Sequence, residues 1–598
     1  MNDPVNDFAL RIATANGTGS ASANNLLMQA IFRMGIPVSG KNLFPSNIQG
    51  LPTWYEIRVS NKGYTARPKD FDLLAALNAA TMAQDIAGME SGGWVLYDSS
   101  RPLDKKLERD DLHFIGVPFA RLCNSNFEGV RERILMKNIA YVGAVGALLD
   151  IDKDTLAALT AEKFKKKPAL LKSNQKAIEL GYSYTKKHFE CPLPIRLTKM
   201  DSTREHILID GNTSAALGCL YAGATVGAWY PITPATSLME AFSAFCQRYR
   251  KNPKSGKNRF AIVQAEDELS AIGMVIGASW AGARAFTSTS GPGVSLMNEF
   301  LGLAYYAEIP AVLFDVQRTG PSTGMPTRTQ QADLLTCAYA SHGDTKHICL
   351  YPADPKEAFD MAVKAFDLAE QFQTPVIVLS DLDIGMNDWM TPKLQWDDNY
   401  RPNRGKVLSA EELERIERFY RYMDIDEDGV PYRTLPGVHP KGSYFTRGSG
   451  HNRFGFYTED SDEYREVMDR ITRKFETASK AVPEALIQGS GARTGLVTLG
   501  SGHAACSEAA DLMRERGDET DYMRIRGFPF GPEVKEFLLA HEVNYIVEQN
   551  RDGQLRRLLM IETEVPADRL RSVLYYAGMP LCAECVVEGV QAFSGVPA

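Results

Sequence analysis

Three observations predict a multidomain α/β fold for this chain. Short apolar strands alternate with helical patterns through most of it. The alternation lapses once, over residues 387–485, where Trp, Tyr, Pro and charge clusters show no steady period. A length of 598 residues, 44% apolar and 23% charged, suits several ordinary globular cores and excludes a disordered or fibrous chain.

Taken in order, Phe8–Ala15 reads as a strand, Asn16–Ser20 as a glycine-containing loop and Ala21–Arg33 as a helix. Thr53–Val59 and Gly93–Tyr97 read as further strands, and Lys69–Leu77 is a stretch of mixed charge. The Lys-rich residues 163–175 read as a solvated helix or linker that closes the first unit. A second unit opens at Asp210-Gly211-Asn212, with strands at Phe260–Gln264, Ala285–Ser288, Ala311–Asp315 and Pro375–Ser380. The aperiodic stretch is expected to be helical at Ala410–Arg421 and Asp460–Ala481. The last unit combines strand Gly495–Leu499, helix Ala504–Arg516, loop Gly527–Pro532 and strand Asn544–Glu548. The expected division is 1–190, 200–390 as a doubly wound parallel sheet, 391–485 as an excursion, and 486–598.

Charge narrows the function. Lys and Arg number 66 against 74 Asp and Glu, a balance of −8, so no global field draws the chain to nucleic acid or an anionic membrane. No apolar run reaches the length of a membrane span, and the first residues lack the basic stretch of a signal peptide. Nine scattered cysteines fit reduced thiols, and a cytoplasmic location is expected.

Metal signals are weak. Cys582-Ala583-Glu584-Cys585 is a lone CxxC without a second ligand pair, expected to be two ordinary thiols. Asp424–Gly429 opens like a calcium loop, but Leu435 stands where the bidentate acid belongs and Pro431 interrupts it. No metal site is expected. Gly17-Thr18-Gly19, with Ser20 following, lies between a strand and a helix, where backbone N–H groups can face a diphosphate. The third glycine of a dinucleotide fingerprint is missing, which argues against a nicotinamide cofactor.

The central unit carries the sharpest pattern. Glu268 begins an apolar helical run and is followed nine residues later by Gly277, then by the turn Thr289-Ser290-Gly291-Pro292-Gly293. Glu266 and Asp267 compete with Glu268, but only Glu268 keeps that spacing. The set resembles the pyrimidine-binding domain of thiamine diphosphate enzymes. The resemblance implies that Glu268 is catalytic and hydrogen-bonds N1′ of the aminopyrimidine, a task for a partly buried carboxylate that can share a proton.

Tyr230-Pro231-Ile232-Thr233-Pro234, the loop Arg318–Thr327, and Val547–Leu555 resemble 2-oxoacid:ferredoxin oxidoreductases. Pro45–Gly50 and Tyr55–Val59 resemble that family's gamma domain, fused here in front of an alpha subunit with a transketolase-C-like end. The resemblance implies substrate contacts by Thr233, Arg318 and Thr327, an Arg fork and hydroxyls suited to a 2-oxoacid carboxylate. It also implies that Gly17, Gly19 and Ser20 meet the diphosphate of coenzyme A. The magnesium–diphosphate motif is missing: Gly517-Asp518-Glu519 with Asn544-Tyr545 lacks a glycine and an asparagine and follows a helix. A beta subunit is therefore expected to supply Mg²⁺, the diphosphate half of the thiamine diphosphate site and, by resemblance, a [4Fe–4S] cluster. The expected assembly is an (alpha–beta)₂ dimer of heterodimers that reduces ferredoxin. 2-Oxoglutarate is the leading substrate, with Arg328 available for its distal carboxylate; pyruvate, branched-chain 2-oxoacids and a non-catalytic scaffold role remain open.

Overall fold

A computed structural model describes residues 4–46 and 51–594, so Asn47, Ile48, Gln49 and Gly50 of the segment named above lie outside the described residues. The chain divides into two compact units.

The first unit falls within Met1–Ile209 and takes in Asn387–Lys393 and Cys582–Glu584. Its strand β1 (Asp7–Ala15) sends Phe8, Leu10 and Ile12 into one core and Ala9 into another, so its sheet is covered on both faces. Five strands join it: β2 (Val38–Leu43), β3 (Pro52–Ser60), β4 (Leu73–Ala76), β5 (Trp94–Asp98) and β6 (His113–Val117), in the order β2-β3-β1-β4-β5-β6. β1 runs antiparallel to β3 and parallel to β4. The charged stretch 69–77 thus contains the fully buried strand β4.

Helix α1 (Ser20–Arg33) follows the glycine loop, and two longer helices, α2 (Val130–Leu149) and α3 (Pro168–His188), complete the larger core. Of the two readings of 163–175, the solvated helix holds from Pro168, where a 21-residue helix starts with its first turn exposed; the stretch does not close the unit, which runs on to Ile209. Two glycines bring α2 and α3 into backbone contact. A Cβ on Gly181 would stand 1.8 Å from Ala140 O, and one on Gly143 would stand 2.0 Å from Ile178 O. The segment Trp389–Pro392 pairs antiparallel with His206–Ile209 in this unit, and Lys41 Nζ sits 3.5 Å from the Trp389 ring centroid.

The second unit spans Asp210–Met386, Leu394–Leu581 and the stretch from Cys585. Its main sheet is built from β7 (Val226–Trp229), β8 (Ala261–Gln264), β9 (Ala285–Thr289), β10 (Ala311–Gln317), β11 (Ile348–Leu350) and β12 (Pro375–Asp381), in the order β11-β12-β10-β9-β7-β8. These six are parallel, and Gly527–Phe528 adds an antiparallel edge beside β11. Alternate residues enter two cores. Ala311, Leu313, Ile377 and Leu379 face one; Val312, Phe314, Val376 and Val378 face the other.

The first of these cores continues into a five-stranded C-terminal sheet through Val497, Leu499, Met523 and Ile546. The second is closed by the stretch after residue 394, through Val430, Val467, Ile471 and Phe475. Within that stretch the helix expected over Ala410–Arg421 is corrected to Ala410–Arg415. Ser409 and Glu412 form a capping box at its start, and beyond Arg415 the chain turns extended. Arg421 is drawn inward, where its Nη2 donates to Glu308 O at 2.7 Å. The Asp424–Gly429 segment is a turn in which Gly429 N donates to Asp424 Oδ2 at 2.9 Å.

Candidate active site

Four loops leave the carboxyl ends of adjacent parallel strands in the second unit, where ligands of open α/β sheets bind. β8 lies on one side of β7 and β9 on the other, so the winding direction reverses there. After β7 comes Tyr230–Pro234. After β8 comes helix α4 (Glu268–Trp280), after β9 helix α5 (Gly291–Tyr306), and after β10 the loop beginning at Arg318.

Of the three neighbouring acids, Glu266 is exposed, and Asp267 caps α4 by accepting from Ser270 N at 2.7 Å. Glu268 is buried, 7% exposed, in the first turn of α4. Its seat depends on the Gly-Pro-Gly turn: a Cβ on Gly293 would stand 2.9 Å from Glu268 Cγ and 1.9 Å from Thr289 Oγ1. Gly277, the spacing glycine, is exposed, and nothing in this chain lies within 4 Å of a Cβ placed there. The buried Ser290 hydroxyl, at the start of the same turn, has no partner.

Arg318 and Thr233 are brought together: Arg318 Nη1 donates to Thr233 O at 2.7 Å. Arg318 is 8% exposed and its Nε has no partner. Burial pulls the guanidinium pKa down, while the fields of Asp333 and Glu268 oppose that shift. Thr327 is buried further along the loop and accepts from Arg328 Nη1 at its carbonyl at 2.8 Å. The loop closes on itself, since Thr319 N donates to Arg328 O at 2.9 Å and Met325 N donates to Thr319 O at 3.0 Å. Arg318 and Arg328 thereby flank its two ends. The arrangement offers a buried carboxylate beside a helix N-terminus and a fork with an unused donor, which can orient a small carboxylic acid.

Sequence reasoning missed the residues that fix this loop from below. Asp381, at the end of β12, accepts from Ile384 N at 3.0 Å, from Gln331 Nε2 at 2.9 Å and from Ser501 Oγ. Gln549 Nε2 donates to Ser501 Oγ at 2.8 Å, and Asn550 Nδ2 donates to Gln331 O at 3.0 Å. The Val547–Leu555 motif thus holds the segment that follows Arg328. Asp315 and Asp333 were missed as well, because an acid at a strand end and another in a loop carry no local signal.

In the first unit, Gly17 and Gly19 have φ of 81° and 84°, backbone that a side chain rarely adopts. Gly19 caps α1 without a side-chain acceptor, Ser20 is buried as the first helical residue, and Thr18 accepts from Asn138 Nδ2 at its carbonyl at 2.7 Å. Beside this loop lies a cavity of about 210 Å³ lined by Thr14, Thr18, Cys123, Arg133, Lys137 and Asn138 among others. The Thr14 hydroxyl, buried on its wall, has no partner. Two cations beside a helix N-terminus suit an anionic group.

No cluster of three or more His, Cys, Asp or Glu side chains able to hold a metal occurs among the described residues. No described helix is long and apolar enough to cross a membrane. The expectation of two ordinary thiols in the CxxC segment is corrected. Cys582 and Cys585 are disulfide-bonded, since one residue before and one inside the first turn of helix Ala583–Ser594 fall within bonding reach. The other seven cysteines are free.

Comparison with known proteins shows the family. Residues 217–416 match the family described as pyruvate flavodoxin/ferredoxin oxidoreductase, thiamine diphosphate-binding, and residues 9–184 match pyruvate ferredoxin/flavodoxin oxidoreductase. The alpha subunit of 2-oxoacid:ferredoxin oxidoreductase 2 from Aeropyrum pernix is 31% identical, with 96% of each chain covered. The chain belongs to this family, as an alpha subunit of a 2-oxoacid:ferredoxin oxidoreductase. The 2-oxoglutarate synthase subunit KorA of Methanocaldococcus jannaschii is 32% identical over 58% of this chain and 89% of its own. A solved 2-oxoglutarate:ferredoxin oxidoreductase from Magnetococcus marinus, with 2-oxoglutarate, coenzyme A and succinyl-CoA bound, superposes with a TM-score of 0.88 at 27% identity, covering 98% of this chain and 99% of that one. This alpha subunit carries the thiamine diphosphate-binding domain of a multi-subunit oxidoreductase.

Proposed function

We propose that this alpha subunit, with a beta subunit, oxidatively decarboxylates 2-oxoglutarate in the presence of coenzyme A to give succinyl-CoA, CO₂ and reduced ferredoxin. The observation that carries the substrate assignment is the pair of arginines at the two ends of one closed loop. Arg318 serves the reacting carboxylate and Arg328 the distal one. Likeness to the Magnetococcus marinus enzyme over nearly the whole chain supports the same substrate.

Residues present fit the pyrimidine half of thiamine diphosphate: a buried Glu268, an unpartnered Ser290 hydroxyl, and a glycine at 293 where a Cβ would fill the space. When bound, the cofactor supplies the electron sink for decarboxylation. Glu268 holds and shares a proton at the N1′ edge. Arg318 and Thr233 orient the 2-oxoacid carboxylate, and Thr327 lines its pocket. Gly17, Gly19 and Ser20, with the cavity beside them, take the diphosphate of coenzyme A, where Arg133 and Lys137 supply charge. Mg²⁺ and a [4Fe–4S] cluster belong to the beta subunit in this reading, within an (alpha–beta)₂ assembly that passes electrons to ferredoxin.

Steady-state kinetics of the reconstituted pair across 2-oxoacids tests the assignment. The expected result is a kcat/KM for 2-oxoglutarate at least about tenfold above that for pyruvate or branched-chain 2-oxoacids, the value of one charge-assisted contact. A preference for pyruvate or a branched-chain acid would overturn it.

A further inference from the structure

The loop that carries Arg318 is tied down on both sides by groups that the reaction scheme above leaves unused. Gln317 Nε2 donates to Ser380 O at 3.2 Å, and Asp333 N donates to Gln317 Oε1 at 3.1 Å. Gly320 N donates to Gln330 Oε1 at 2.9 Å. Arg318 therefore sits between two residues, Gln317 and Gly320, that are both bonded to the returning segment 330–333. That segment is bonded in turn to the C-terminal part of the same unit. Gln331 N donates to Gln549 O at 2.9 Å, and Asn550 Nδ2 donates to Gln331 O at 3.0 Å.

The Gln331 side chain ends in a closed polar cluster. Its Nε2 donates to Asp381 Oδ2 at 2.9 Å and to Ser501 Oγ at 3.1 Å. Ser501 Oγ donates to Asp381 Oδ2 and accepts from Gln549 Nε2 at 2.8 Å. The four residues are buried, none more than 5% exposed. One donated and two accepted bonds use the whole capacity of the Ser501 hydroxyl. That use is not the one its place in the chain suggests. Ser501 is the N-cap of helix Gly502–Glu515, where a serine hydroxyl ordinarily accepts from the first helical N–H groups, yet it makes no cap hydrogen bond. Gly500 before it has φ of 55°, and a Cβ there would stand 2.5 Å from Gln331 Nε2. The turn is shaped to meet the substrate loop and leaves the helix it starts uncapped.

We propose that Ser501 and Asp381 are positioning residues that fix the place of Arg318 through Gln331, and with it the affinity for the 2-oxoacid. The inference rests on Arg318 binding that acid. Ile384 N, Gln331 Nε2 and Ser501 Oγ all donate to the Asp381 carboxylate, so one buried acceptor gathers the strand end, the loop and the C-terminal turn. A guanidinium held in line loses little freedom when the acid binds, whereas one on a loosened loop must first be ordered. That cost falls on substrate binding. Because Ser501 caps nothing, removing its hydroxyl takes no hydrogen bond from its own helix.

The test uses the complex with the proposed beta subunit, carrying Ser501→Ala, Arg318→Ala or both. For each, kcat and KM for the preferred 2-oxoacid are measured beside the KM for coenzyme A. Ser501→Ala should raise the 2-oxoacid KM about fivefold to tenfold, the value of one or two buried hydrogen bonds, with kcat and the coenzyme A KM within about twofold of wild type. In the Arg318→Ala background the same change should add less than about twofold, because the residue it positions is gone. A 2-oxoacid KM that moves less than about twofold in Ser501→Ala, or an added rise above about twofold without Arg318, would overturn the proposal. If Arg318→Ala raises KM while Ser501→Ala does not, only the positioning role falls. If Arg318→Ala itself leaves KM unchanged, the substrate-loop reading falls and this proposal with it. Should Ser501→Ala fail to fold, Gln331→Met takes its place with the same expected and contrary results. It removes the side-chain donor and keeps the backbone bonds to Gln549 and Asn550.

Discussion

Glu308 and Asp315 are both fully buried in the same unit, seven positions apart in sequence, and are stabilised in opposite ways. Glu308 is held by Arg470 through Nη2 to Oε1 at 2.5 Å and Nη1 to Oε2 at 3.0 Å, and by Lys474 Nζ to Oε2 at 2.9 Å. These cations hold its carboxyl well below the ordinary carboxylate range against full burial. Asp315 has no cation beside it, and burial pushes its carboxyl up instead. Arg470 and Lys474 come from the aperiodic stretch after residue 394, so that stretch completes a structural ion network with Glu308. Asp315, three residues before Arg318, keeps one oxygen without a hydrogen-bond partner near the start of the loop that we assign to substrate. A carboxylate saturated by cations anchors a fold; one balanced by a proton can still respond to its surroundings.

Removing the anchor should have the largest effect. Glu308→Gln leaves Arg470 and Lys474 buried without their anion and should cost about 3–5 kcal/mol of stability. Chemical denaturation of the purified complex measures this, and a loss under about 1 kcal/mol would mean the network is not anchoring. Acid and base should then separate the two kinds of carboxylate. The Glu308 contribution is present above the unfolded value of 4.5 and is lost as pH falls through its lower folded value, so the Glu308→Gln deficit shrinks on acidification. Asp315 is raised, so its contribution is full below 3.8 and is lost as pH rises, and Asp315→Asn gains on wild type over that rise. Parallel pH profiles for the two variants would erase the distinction.

On the responsive side, Arg318→Ala should lower kcat/KM for the 2-oxoacid about tenfold to a hundredfold, with little change in coenzyme A affinity. If only the coenzyme A constant moves, the arginine serves a different pocket. Gly19→Val tests the first unit by the same logic. Valine at φ 84° is strained by about 1–2 kcal/mol, and its Cβ would stand 2.7 Å from Leu135 Cδ2. The KM for coenzyme A should rise about tenfold while cluster reduction without coenzyme A stays near wild type. A parallel fall of both would make the loop a structural turn only.

Much of this arrangement was legible in the sequence because its signals are local. β10 and β12 are short, largely apolar runs between turns, and Glu268 and Ser290–Gly293 each sit at a strand-to-helix junction. The unread parts depend on distant partners. From Asn138 onward α2 is buried all round and offers no amphipathic period, and its match to α3 rests on Gly143 and Gly181. β2 carries Ser39, Lys41 and Asn42, polar residues that become strand only by pairing with β3. Asp315, at a strand end, carries no local signal, because its burial is decided by the elements packed around it.

The account turns on Glu268 as the proton-sharing carboxylate of the thiamine diphosphate site. The most direct test is single-turnover reduction of the cluster proposed for the beta subunit by 2-oxoglutarate, the proposed substrate, in an alpha–beta complex carrying Glu268→Gln, with melting temperature followed in parallel. The account predicts a loss of at least about a hundredfold in rate with the fold intact, the value of a general acid–base group. A near-normal rate in a folded, cofactor-loaded complex would contradict it.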